Sequence, residues 1–382
     1  MPVRRRVLRG CICLGVCACV VVASAGAGIT EAPRLAAAYD TILSAKFTQA
    51  SGEIARACPP APAEACQTLG LVSLWWQIQL DLNNRALDSR LTDAAERAIS
   101  AADAWTKREP RRAEAWFYLA GSYAPLTQWR VFRGEKLAAA RDGNRIRVAL
   151  ERAIAIDPSL NDAYFGIGLY HYYADVVPTV AKILRWMLFL PGGDRVQGMK
   201  EMLQARDHGE VLAGEADYQL HWLYLWYEAK PAQAVGLLRS LDARYPSNPI
   251  FLRRIAEVER DYFRDHAASA AAWQALLDRA QKGQVSAADL AETDARIGLG
   301  TELTALDQPD RAIDALQSVI ARRASAPYEA QAAAQLALGT AYDRQGRRDL
   351  ATTAYRAASA LAPNDDPLRV RPRARARLER KF

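Results

Sequence analysis

AAAQLALGTAYDRQGRRDLATTAYRAASALAPND, residues 332–365, is the stretch whose spacing decides the fold. Counting from its first residue, Leu338 and Gly339 stand at positions 7 and 8, and Tyr342 at 11. Ala351, Tyr355, Ala358 and Pro363 follow at 20, 24, 27 and 32. Small residues at 8, 20 and 27 let two antiparallel helices approach closely, and large ones at 7, 11 and 24 fill the space between them. Proline at 32 ends the second helix, because it has no N–H to donate and its ring clashes with the preceding turn.

Weaker copies precede this one. Residues 293–324 carry Leu299, Gly300, Leu303, Ala312, Leu316 and Val319, with Pro309 and Asp310 in the turn. Residues 215–248 carry Tyr218, Ala234, Leu238 and Leu241 and close on Tyr245 and Pro246. A degenerate copy covers 251–283, with Trp273 near the packing position. Upstream, Trp116, Leu119 and Tyr123 open a copy that Ala153 and Pro158 close, 42 residues after Trp116. The pattern expects about 28 there, so roughly four extra helical turns are read as a lengthened hand-over between helices. Trp75 and Pro110 bracket an earlier lengthened copy.

Together these copies resemble the tetratricopeptide-repeat (TPR) superfamily, and secreted bacterial TPR proteins in particular, over about residues 70–365. The last copy departs from the signature only at Gln335, where the family carries tryptophan. The resemblance implies an all-α fold, a right-handed superhelical stack of antiparallel helix pairs. It also implies a concave groove, lined by first-helix positions near 5, 9, 12 and 13, that takes a peptide or protein partner. In this sequence those positions are Phe165, Leu169, Tyr172 and Tyr173 in one copy and Gln219, Leu223, Trp226 and Tyr227 in the next. Tyr172, Tyr173, Trp226 and Tyr227 are the expected groove residues, since aromatic rings offer contact area at low entropic cost. The other reading packs the same rings against a neighbouring insert.

That insert, about 176–193, interrupts the repeat that starts at Tyr164, Ile167 and Gly168. It holds Leu184, Trp186 and Phe189 and is too short and too charged to span a bilayer. It reads either as an extra apolar core helix or as an exposed docking element for a partner or a membrane surface.

The two ends carry the basic charge. Residues 1–25 have four arginines and no acid, and residues 369–382 have seven bases against Glu379. With +7 over the whole chain, the body between them is mildly acidic and offers no broad basic face for nucleic acid. Residues 1–9 form a basic head and residues 10–23 an uncharged apolar run. Ala23-Ser24-Ala25 and Ala25-Gly26-Ala27 then supply two small-x-small cleavage motifs. This is the order of a secretory signal, so residues 1–27 are expected to be removed on the way to the periplasm or cell envelope. An uncleaved anchor, a twin-arginine signal and lipidation at Cys17 or Cys19 remain alternatives.

Four of the six cysteines lie in that signal. Cys58 and Cys66 remain, around a proline-rich loop in an expected helical cap at 28–70, and read as a disulfide in an oxidising compartment, or else as two free thiols. The solenoid is expected over 71–365 and a solvated basic tail over 366–382, with anionic lipid or an acidic partner as the tail's other reading.

Chemistry is not announced anywhere. His171, His208, His221 and His266 stand apart, none with a second histidine one turn away, so no helical metal pair is expected. Neither a phosphate-binding Gly-x-x-x-x-Gly-Lys-Ser/Thr nor a Gly-x-Ser-x-Gly occurs. No cofactor or catalytic group is expected, and function is placed on surfaces.

Overall fold

A computed structural model describes residues 28–176 and 192–379. Helices α1 (Ala32–Leu43) and α2 (Phe47–Ala57) lead into seven helix pairs. These are α3 (Ala63–Leu80) with α4 (Asp88–Arg108), and α5 (Ala113–Phe132) with α6 (Lys136–Ile156). Next come α7 (Asn161–Val176) with α8 (Arg195–His208), and α9 (Ala213–Trp226) with α10 (Pro231–Arg244). Then follow α11 (Pro249–Val258) with α12 (His266–Gln281), α13 (Ala288–Ala305) with α14 (Pro309–Ala321), and α15 (Ala330–Arg344) with α16 (Arg348–Leu361). Helix α17 (Val370–Leu378) ends the described chain. Pro231, Pro249 and Pro309 each open a helix, where the missing N–H costs nothing.

The result is an all-α solenoid of antiparallel helix pairs, as the resemblance implies. Its packing follows the spacing of the opening stretch. A methyl group placed on Gly339 would lie 2.5 Å from the Tyr355 ring, and one on Gly300 would lie 2.6 Å from Leu316. The small residue at position 8 is therefore the seat of the large one at 24.

Two expectations change. The lengthened copy does not have a longer hand-over: α5 and α6 are joined by three residues, but they run 20 and 21 residues against 14 each for α9 and α10. The extra length lies in the helices themselves, just under two turns in each. The Arg-rich end is not simply a solvated tail. Val370 and Ala374 are one turn apart and fully buried, so α17 covers the last repeat with a short apolar stripe. Arg348 donates to the carbonyls of Arg377 and Leu378, and Asp366 accepts from the amides of Val370 and Arg371. Upstream, Cys58 and Cys66 are joined by a disulfide across the turn between α2 and α3, with Cα atoms 6.4 Å apart. Helix α3 runs straight through the expected boundary at residue 70.

The first helices do more than cap. Trp76 on α3 is fully buried, with its ring 4.8 Å from Tyr218 on α9 and 6.2 Å from Phe251 on α11. Its indole N–H donates to Glu215 Oε2 at 3.1 Å, as does the Tyr39 hydroxyl of α1. Gln219 donates to Glu215 Oε1 at 2.9 Å. At the end of α3, Arg253 binds the carbonyls of Gln79 and Leu80, and the Tyr328 amide donates to Asp81. Helix α1 meanwhile reaches Arg244 and Tyr245 through Asp40, and Asn248 through the Leu43 carbonyl. The first repeat thus touches the fourth, fifth and seventh, and one core runs from Ile29 to Ala374.

Truncating Trp76 to alanine removes the largest part of this bridge, and a loss of about 3–5 kcal/mol is expected in urea unfolding. Burial raises the Glu215 pKa above the ordinary 4.5, while bonds from Gln219, Tyr39 and Trp76 oppose the rise. The folded chain therefore keeps this proton after the unfolded chain has lost it, and the group's contribution falls as pH climbs above 4.5. Glu215→Gln keeps an acceptor for Tyr39 and Trp76, so its stability relative to the parent should improve from pH 5 to pH 8; a flat difference would contradict the assignment.

Candidate functional site

Tyr218, Trp222 and Trp226 recur every fourth residue on α9, which puts them on one helical face. Their rings form a run, with Tyr218 6.4 Å from Trp222 and Trp222 4.3 Å from Trp226. The inner end of this run is fixed. His221 is buried, and desolvation together with the nearby Arg254 cation pulls its pKa down to about 3, so it stays neutral. The Arg254 guanidinium lies 4.8 Å from the Trp222 ring and is paired with Glu257.

The outer end is open. Trp226 is 55% exposed although it is tryptophan at a helix terminus, and Tyr227 beside it is 40% exposed. Helix α11 passes into a π turn, Glu259–Phe263, whose extra residue per turn carries Tyr262 and Phe263 outward. Glu259 stays buried there and pairs with Arg239 at 2.8 Å. Burial and the Asp261 charge raise the Tyr262 hydroxyl above the usual tyrosine value, and the Trp226 side chain beside it opposes the rise.

On the other side, Tyr227 leans on α7. Its ring is 5.9 Å from Tyr172 and 5.7 Å from Tyr173, all edge-on. Tyr172 is fully buried, and its hydroxyl donates to Glu228 at 2.6 Å. Arg195 and Lys230 hold the same carboxylate at 3.1 and 3.6 Å. Burial pushes the hydroxyls of Tyr173 and Tyr227 above the usual tyrosine value, so both remain neutral donors. The arrangement is an aromatic shelf across the C-terminal ends of three successive first helices, with a rigid underside.

The structure separates the residues expected to act together. Tyr172 supports the shelf from inside and is not presented to a partner; Tyr173 is half-buried; Trp226 and Tyr227 are on the surface. Phe165 is buried against Ala205 of its own pair and Ala216 of the next, and Leu223 against Tyr172 and Met202 of the preceding pair. Leu184, Trp186 and Phe189 lie outside the described residues. Tyr262 and Phe263 were missed, although Asp261-Tyr262-Phe263-Arg264 breaks the helical period with two adjacent rings between charges. Asp194 caps α8 by accepting from the amides of Val196 and Gln197, as a turn residue there should.

His171 meets Glu201 and His266 meets Glu302, each at 2.7 Å. Among the described residues no three His, Cys, Asp or Glu gather as a metal site, and no helix is long and apolar enough to cross a membrane.

No protein-family model and no curated protein matches the sequence. Similar folds occur among solved structures. In the Cut9–Hcn1 hetero-tetramer of the APC/C, the similarity is 15% in sequence with a TM-score of 0.48, over 87% of this chain and 53% of that one. The chain therefore spans about half of that protein. Yeast Tom70 is similar at 14% identity and TM-score 0.41, over 90% and 81% of the two chains. YrrB, described as a TPR protein with an unusual peptide-binding site, is similar at 12% and 0.31, over 73% and 99%.

Tyr172→Phe removes one charged hydrogen bond from beneath the shelf, and a loss of about 1.5–3 kcal/mol is expected in denaturant unfolding. Unchanged stability would mean that Glu228 is held by Arg195 and Lys230 alone.

Proposed function

We propose that this chain is an exported interaction solenoid that takes a peptide or an extended segment of a partner protein on the aromatic shelf. The observation that carries the reading is the exposure of Trp226 and Tyr227 at the end of α9 and of Tyr262 and Phe263 in the π turn after α11, above the stacked Trp222 and the buried Tyr172. Exposed rings are unfavourable in water unless something covers them, and tryptophan and tyrosine are among the residues that most often dominate contact energy. The support beneath removes the entropy that a partner would otherwise have to freeze out. Export is supported by the basic head, the apolar run and the Cys58–Cys66 disulfide, a bond that belongs to oxidising compartments.

The test is selection from a random-sequence peptide display library against the protein, followed by affinities for the selected peptides. Trp226→Ala and Tyr262→Ala should each weaken binding at least about tenfold, the effect of losing a hot-spot ring. Because Trp226 is half-exposed, its removal should alter stability by less than about 1 kcal/mol. Peptides that bind both variants as well as the parent would place the partner elsewhere, and a selection that yields none would contradict the reading.

A further inference from the structure

The chain enters the described structure through acids. The Gly28 amide donates to Asp157 Oδ2 at 3.3 Å, and the Ile29 amide to Glu210 Oε2 at 3.2 Å. Thr30 then binds Glu114 through both its amide and its hydroxyl, each at 2.9 Å. Glu114 and Asp157 come from the second helix pair and Glu210 from the end of the third, and each is held in place. Asp157 also accepts from the amide and hydroxyl of Ser159. The turn that carries Glu210 is fixed by Asp162, which accepts from the amides of residues 210, 211 and 212. Glu114 has Arg112 as a cation. Among the described residues neither Asp157 nor Glu210 has one.

Gly28 is the residue that meets this pair. Its φ of +102° is a conformation that favours glycine, and a methyl group there would come 3.3 Å from Glu210 Oε2. A cavity of about 150 Å³ opens beside it, bounded by Ser159, Asn161, His208 and Glu210. The sequence places Ala25-Gly26-Ala27 immediately before it, one of two small-x-small motifs after the apolar run.

The geometry points to Gly28 as the first residue of the mature chain, with its α-ammonium docked between Asp157 and Glu210. In this step water adds to the Ala27 carbonyl carbon, catalysed by a peptidase of the export machinery, and the Ala27–Gly28 C–N bond breaks. Residues 1–27 leave with the new carboxylate, and the Gly28 nitrogen takes a proton. A free α-amino group has an ordinary pKa of about 8, so at pH 7 it is a cation with three donors where the intact chain had one neutral N–H. Two half-exposed carboxylates then gain the counter-ion they lack, at the point where Ile29 enters the core. Cleavage would thereby tie α1 more firmly across the repeats, and only a terminus at residue 28 would place the charge there.

This inference rests on the export part of the proposed function and goes beyond it. The 382-residue chain is produced in a bacterial host and the exported fraction is analysed by intact mass. The mature protein is then compared with its N-terminally acetylated form by thermal unfolding, in the parent and in Asp157→Asn/Glu210→Gln. A terminus at Gly28 is expected, with acetylation lowering Tm by roughly 1–3 °C in the parent and by much less in the double variant. A chain that is not exported overturns both readings. An exported chain that starts at another residue, or a Gly28 terminus whose acetylation changes nothing, overturns only this one.

Discussion

A glutamate with no water around it organises this molecule. Glu215 sits at the start of α9 and accepts from Tyr39, Trp76 and Gln219. An ionised carboxylate that deep would be costly without donors, and three neutral ones converge on it from α1, α3 and its own helix. Tyr39 and Trp76 belong to elements distant in sequence, so the full bond set can form only when the amino-terminal helices have crossed the stack. A linear solenoid has contacts between neighbouring repeats alone. Here the first repeat also reaches the fourth, fifth and seventh, through Trp76, Arg253 and Asp81, and the largest core cluster runs from Ile29 to Ala374.

The aromatic shelf depends on the same frame. Helix α9 carries Glu215 and Tyr218 at one end and Trp226 at the other. The end that faces inward is bonded and stacked; the end that faces outward is exposed rings. A helix anchored at its start can present a rigid terminus, which is what low-entropy recognition needs. The π turn after α11 extends the surface by one repeat, and its irregularity is local: α12 resumes at His266 with Asp265 as its cap.

Much of the fold was legible because the packing of antiparallel helix pairs is written as spacing. Gly339 and Tyr355 are sixteen positions apart, and that separation alone put a small residue under a large one. The closure was not legible. Nothing in Tyr39, Trp76 or Glu215 marks them as partners, because long-range pairing leaves no period in the sequence. The same limit applied to the site. Trp226 and Tyr227 could be placed at a helix end by repeat register, but register cannot tell whether a neighbouring repeat covers a side chain, as it covers Phe165 and Leu223, or leaves it bare. Tyr262 and Phe263 were hidden for a different reason, since a π turn breaks the period on which the register depends. The Arg-rich end misled through composition: its arginines spoke for solvent, while Val370 and Ala374, four apart, carried the helix.

Hydrogen exchange of the native protein tests the closure most directly. If the amino-terminal helices lock the stack through Glu215, the amides of α1 and α3 should exchange at the same slow, global-unfolding rate as those of α9 and α11. Amides of α1 that exchange far faster than those of α9, by local release, would contradict it.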